Sequence, residues 1–134
     1  GVEYGTDKKL TCMKIITPAT TYDQATSLCA DSGGYLASVK TVDKLAMVVS
    51  LAQGNNLWIG LDDQATEGVY VWQQDFTHLT STQINDTFTK GEPNNGWNVE
   101  DCVHFRGNTG RLNDQHCWDN MLGLCETLPI ESTC

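Results

Sequence analysis

Apolar and polar positions follow two rhythms along this chain, one of period two and one of period 3.6. Residues 10 to 17, "LTCMKIIT", are rich in β-branched side chains and read as a strand. Beyond Pro18 the rhythm changes. In residues 20 to 34, "TTYDQATSLCADSGG", Tyr22, Ala25, Leu28 and Cys29 recur at helical spacing, and Gly33–Gly34 supply the stop. Residues 35 to 39, "YLASV", predict a short strand. A second helix follows over residues 41 to 55, with Thr41 as N-cap, apolar residues at 42, 45, 48, 49 and 52, and Gly54 past its end. "LWIGL" (57 to 61) is a fully apolar strand, and "GVYVW" (68 to 72) predicts another.

Residues 73 to 101 show almost no periodicity. A structureless stretch of that length inside a compact domain is functional or disordered. It starts and ends beside strand-like segments, so a tethered functional loop is expected. "CVHFR", "RLND" and "LGLCETL" then read as three closing strands. Early helices, late antiparallel strands and one long loop predict a single α+β domain over residues 1 to 134.

Composition narrows the function. The formal net charge is −9 with only eight Lys and Arg, which excludes a nucleic-acid partner that needs clustered cations. No apolar run reaches the length of about eighteen residues that a membrane span requires, so no membrane insertion is expected. Cys12, Cys29, Cys102, Cys117, Cys125 and Cys134 form an even set without zinc spacing. They predict an oxidised framework and a secreted, extracellular protein. Spacing alone does not choose among the pairings.

Two segments are dense in side-chain oxygens: "GEPNNGWNVEDC" (91 to 102) and "LNDQHC" (112 to 117). Each is closed by a cysteine. A polar surface loop would account for them, and so would a hard cation shared by their oxygens.

The ordered series "YDQATSLCADSGGYLASV", "LWIGL", "EPN", "EDC", "NDQHC" and "LCE" resembles the C-type lectin-like domain, from about Cys12 to Glu126. The resemblance implies a double-loop fold, two helices flanking small antiparallel sheets, and a long disulfide-anchored loop. It implies the pairs Cys29–Cys125 and Cys102–Cys117. It also implies a principal Ca²⁺ site made by Glu92, Asn94, Glu100, Asn113 and Asp114, with Pro93 in the cis form. Oxygen-only donors of this kind suit Ca²⁺, which takes about six to eight of them in forgiving geometry. In the family the remaining positions accept two vicinal sugar hydroxyls, which also hydrogen-bond Glu92, Asn94, Glu100 and Asn113. The Glu-Pro-Asn order implies the equatorial 3,4-diol of mannose, N-acetylglucosamine or fucose-type sugars. A second Ca²⁺ set maps to Asp63, Glu67 and Asp101, although Asn95 stands where some relatives place an acid.

Other positions carry alternatives. Trp97 lies between Asn94 and Glu100. It either packs under the loop or offers a platform for a sugar, which would favour galactose or N-acetylgalactosamine. A protein-binding or antifreeze module of the same superfamily is the remaining rival. Leu112 replaces a Trp whose role is packing, and the "FTHLTSTQINDTF" stretch (76 to 88) lacks a family landmark, leaving the loop's path open. Asn85-Asp86-Thr87 is a glycosylation sequon that fits an exposed loop. Trp58 and Trp72 read as core, and His78, His104 and His116 as surface or strand residues. No nucleophile context or raised acid pair suggests catalysis, so no enzyme is expected. Cys12 and Cys134 pair within the chain or link it into a homo- or heterodimer; multivalency favours the interchain link. Recognition of microbial or self glycans, as in innate immunity, follows from the resemblance alone. Asp114→Ala is expected to abolish sugar binding with the fold intact.

Overall fold

A computed structural model describes residues 2–4, 10–92 and 101–128. The elements are β1 (Val2–Tyr4), β2 (Leu10–Thr20), α1 (Tyr22–Asp31), β3 (Tyr35–Leu36), α2 (Val42–Ala52), β4 (Leu57–Asp62), β5 (Val71–Trp72), α3 (Ser81–Thr87), β6 (Cys102–Arg106), β7 (Arg111–Gln115) and β8 (Met121–Thr127). The strands join in the order β1-β2-β8-β4-β6-β7, with β3 on β8 and β5 on β4. All pairs are antiparallel except β4 with β8, which run parallel. The expected pair of helices is thus three among the described residues, and the expected small antiparallel sheets are joined into one mixed sheet.

Local chemistry explains the helix starts. Thr21 and Thr41 are extended residues whose side chains accept from the backbone N–H of Gln24 and Lys44. Each satisfies one of the donors that a helix start leaves without an internal partner. α1 buries Tyr22, Ala25 and Cys29 but leaves Leu28 exposed. α2 buries Leu45, Val48 and Ala52, and its chain reverses through Gln53 and Gly54, both at positive φ.

β4 explains its own unbroken apolar run. Leu57, Ile59 and Leu61 belong to the core shared with α2, β6 and β7, whereas Trp58 faces Tyr22, Ala25 and Cys29 of α1. A strand covered on both faces has no need of polar alternation. The Trp58 ring meets Tyr22 edge-on at 5.4 Å, and its indole N–H donates to the Thr20 carbonyl at 2.9 Å. Gly60 has a steric reason: a Cβ there would lie 2.3 Å from the Leu36 carbonyl oxygen. Its absence lets the segment after β3 bond to β4, with Gly60 N donating to Ala37 O at 2.8 Å.

Two expectations about the middle of the chain are corrected. The strand over residues 68 to 72 shortens to β5, because Gly68 at φ 82° and the Val69 N–H to Thr66 O bond form a turn there. The long segment after it contains α3. Thr80 accepts from Gln83 N, and the Gln83 side chain accepts from Thr80 N, a reciprocal capping box. The indole of Trp72 also donates to Gln83 at 3.0 Å, tying α3 to β5. The sequon therefore lies in a helix rather than a loop, with Asn85 exposed and Thr87 buried.

Cross-links fix the frame. Cys29–Cys125 joins α1 to β8, and Cys102–Cys117 joins the start of β6 to the segment after β7. Cys12 is also disulfide-bonded in this structure of one chain, so the interchain link favoured from sequence finds that thiol already engaged. Cys134 lies outside the described residues. A buried ionic knot adds to the frame: Glu126 accepts from Lys44 Nζ at 2.6 Å, Thr11 Oγ1 at 2.6 Å and Ser38 N at 3.1 Å. No helix among the described residues is long and apolar enough to cross a membrane.

Candidate functional site

The site grows from the ends of three paired strands. Asp62 of β4 lies opposite Cys102 of β6, and Asp63 N donates to Asp101 O at 2.9 Å. β6 in turn holds β7 with Val103 opposite Asp114 and His104 opposite Asn113. Register rather than sequence proximity therefore sets Asp63 and Asp101 side by side and puts Asn113 and Asp114 on the strand paired with β6.

Asp63, Glu67 and Asp101 form the tightest acidic group among the described residues. Each offers a carboxylate oxygen within 4.8 Å of the others. Neighbouring acids show why this group is unusual. Asp62 is fully engaged, accepting from Tyr22 OH at 2.8 Å and from Gln64 N at 3.2 Å. Asp63 Oδ2 accepts from Gly68 N at 2.8 Å, but Asp63 Oδ1 and Asp101 Oδ1 are buried with no hydrogen-bond partner. Burial pushes the Asp63 carboxyl up to about 7, helped by Asp101 and Glu67; burial and Glu67 likewise raise Asp101. Buried carboxylate oxygens without donors are destabilising unless a proton or a cation sits among them. Oxygen donors at this spacing fit a hard divalent ion.

The expected principal set is described in part. Asn94, Trp97 and Glu100 lie outside the described residues, as does Pro93. Glu92 is half-buried, its N–H bonded to Thr89 O at 2.9 Å. Asn113 and Asp114 are buried in mid-strand. Thr89 Oγ1 donates to Asn113 Oδ1 at 2.6 Å, and Tyr70 OH donates to Asp114 Oδ2 at 3.4 Å. Thr89 thus bonds both the Glu92 backbone and the Asn113 side chain, tying the two segments to each other. Leu112, next to them, is fully buried against Phe88 and Phe105, so the packing role expected of it is kept.

Sequence reasoning missed two of these neighbours. Tyr70 faces Asp114 and feels Asp63 and Asp101; burial and these charges hold its phenol well above the usual range. It lies between the two acid groups. Its only signal in sequence was a hydroxyl on an otherwise apolar strand. Thr89 carried no signal at all. Asp114 is 2% exposed and bonded to Tyr70, so Asp114→Ala removes a buried, hydrogen-bonded group as well as an expected ligand.

The histidines separate clearly. His104 is buried in β6, and burial together with Arg106 lowers it to about 4. Its Nδ1 lies 3.1 Å from the Asn113 carbonyl, which can only accept, so that nitrogen carries the proton. His116 stacks on Trp118, and His78 bridges to Val71 outside the strands.

A family model for the lectin C-type domain matches residues 19–127. C-type lectin lectoxin-Lio3 of Erythrolamprus poecilogyrus is 31% identical over 126 residues, covering 88% of this chain and 75% of the relative. Lectin BRA-3 of Megabalanus rosa is 36% identical over 104 residues, covering 73% of this chain and 57% of the relative. Against BRA-3, the chain spans little more than half of the relative's length. The C-type carbohydrate-recognition domain of cow CD23, solved in the presence of a GlcNAc2Man3 oligosaccharide, superposes with a TM-score of 0.79 at 27% identity. The alignment covers 90% of this chain and 89% of that one.

Proposed function

We propose that this chain, which belongs to the C-type lectin domain family, is a Ca²⁺-dependent carbohydrate-binding module rather than an enzyme, working outside the cell. The observation that carries the proposal is the pair of buried carboxylate oxygens, on Asp63 and Asp101, which no hydrogen-bond donor reaches. A cation among them satisfies these oxygens, and at neutral pH it competes with a proton on Asp63, whose carboxyl is pushed up to about 7. Asp63, Glu67 and Asp101 would hold one ion there. Glu92, Asn94, Glu100, Asn113 and Asp114 would hold a second.

A bound Ca²⁺ supplies charge and open coordination positions for sugar hydroxyls. The chain's own residues supply orientation and selectivity. Carboxylates at Glu92 and Glu100 accept hydrogen bonds from hydroxyls, and amides at Asn94 and Asn113 donate them. Hydrogen bonds from Thr89 to Asn113 and from Tyr70 to Asp114 support this reading, since they limit the freedom of two of the assigned ligands. The Glu-Pro-Asn order favours an equatorial 3,4-diol of the mannose type. Retention on immobilised mannose in Ca²⁺ and release by EDTA tests this reading. Glu92→Gln with Asn94→Asp, which exchanges acceptor and donor, should shift preference toward galactose. Retention that survives excess EDTA contradicts the mechanism.

A further inference from the structure

The segment that closes the site carries an aromatic pair that the ion sites do not use. The rings of His116 and Trp118 lie parallel, 4° between planes, with centroids 4.7 Å apart. Trp118 is 62% exposed, whereas Trp58 and Trp72 are fully buried. One face of the indole is therefore covered by the imidazole, while most of the side chain remains exposed.

The backbone beneath the pair is fixed at three points. Cys117, between the two rings, is bonded to Cys102. Its carbonyl accepts from Tyr22 N at 3.1 Å, and Asp119 N donates to His116 O at 3.1 Å. Tyr22 is itself buried at the start of α1. The platform also flanks the candidate site covalently. Cys102 follows Asp101, and His116 lies two residues beyond Asp114.

We propose that the His116–Trp118 stack is a glycan subsite, which takes the apolar C–H face of a pyranose next to the sugar held at the ion. This rests on the lectin reading above. The surroundings select a sugar over a protein partner. The other exposed large apolar side chains, Leu28, Val42, Val49, Phe76 and Leu128, lie in other segments of the chain. Gln115, Asp119 and Asn120 are the sequence neighbours of the pair. A protein interface needs a contiguous apolar patch. A single exposed flat ring with hydrogen-bonding residues as its sequence neighbours matches a pyranose, which has one apolar face and a hydroxyl rim. Preordering by the His116 stack and the disulfide lowers the entropy lost when that sugar docks.

The test uses the full Ca²⁺-loaded chain. Affinities are measured by calorimetry for mannose and mannotriose, and for galactose and galactotriose. Wild type is compared with Trp118→Ala, Trp118→Phe and His116→Ala, each checked for an unchanged circular dichroism spectrum. The stack predicts that Trp118→Ala loses about fivefold in affinity for the preferred trisaccharide and none for its monosaccharide. Trp118→Phe should keep part of the advantage, and His116→Ala should lose less than Trp118→Ala. If Trp118→Ala binds both sugars as wild type does, the subsite is refuted and the lectin reading stands. If wild type binds none of the four sugars in Ca²⁺, the subsite and the mannose- and galactose-type forms of the lectin reading fall together.

Discussion

Removing one charge from the acidic group should stabilise the metal-free protein. Asp63→Asn keeps an oxygen to accept from Gly68 N but removes a carboxylate crowded within 4.8 Å of Glu67 and Asp101. Two ionised carboxylates at that separation repel by about 3–4 kcal/mol at an effective dielectric near 20. Proton linkage gives a similar size. The unfolded carboxyl loses its proton near 3.8 and the folded one near 7. Between those values the unfolded state binds fewer protons, so stability falls as pH rises and levels off above about 7. The full displacement corresponds to about 4 kcal/mol, a ceiling because the three acids titrate as a set. Urea denaturation in EDTA from pH 4 to 8, comparing wild type with Asp63→Asn, reads this difference directly. The variant should match wild type near pH 4 and exceed it by up to about 4 kcal/mol at pH 8. Added Ca²⁺ should shrink the difference, since an ion at a hundred times its dissociation constant stabilises wild type by about 2.7 kcal/mol, and should cancel it near a thousand times, where the gain is about 4.1 kcal/mol. A variant that is less stable than wild type in EDTA at pH 8 refutes the reasoning.

Glu126→Gln should cost about 3–5 kcal/mol in urea denaturation, because Lys44 is left buried without its counter-charge; a loss below about 1 kcal/mol would show the pair to be incidental. Tyr70→Phe should weaken Ca²⁺ binding about fivefold by calorimetry with little change in folding, the size of one modest hydrogen bond to Asp114; unchanged affinity would leave the phenol without a role at the ion. His104, lowered to about 4, should contribute stability that is fully present above about 6.5 and lost as pH falls from there toward 4; an NMR titration with a midpoint near 6.5 contradicts its burial as a neutral ring. With Cys12 engaged in the single chain, an unreduced denaturing gel should show a monomer; a reductant-sensitive dimer band would reveal the interchain bridge instead.

Elements with strong periodicity were legible in the sequence. α2 announced itself by Thr41 and its apolar spacing, and β4 by an unbroken apolar run. α3 was missed although its signature was present: Thr80 and Gln83 stand at capping-box spacing. Its seven residues are too few to show a period, so the cap was the only signal. The Asp63, Glu67 and Asp101 group came from resemblance and is brought together in the structure, but its missing donors could not be read from residue types. Asp62 and Asp63 are chemically alike and adjacent. Only the fold decides that Tyr22 and Gln64 satisfy one while half of the other is left bare. Tyr70 and Thr89 were invisible for a related reason: their partners are distant in sequence, and the pairing is created by strand register. The parallel contact of β4 with β8 joins residues more than sixty positions apart, and no local pattern encodes it.

Glycan-array binding of the wild-type protein, run in parallel in millimolar Ca²⁺ and in excess EDTA, bears most directly on the central claim. The structure-based account predicts binding to mannose-, N-acetylglucosamine- or fucose-terminated glycans in Ca²⁺ and none in EDTA. Binding that is the same in both conditions, or no binding to any glycan in Ca²⁺, would contradict it.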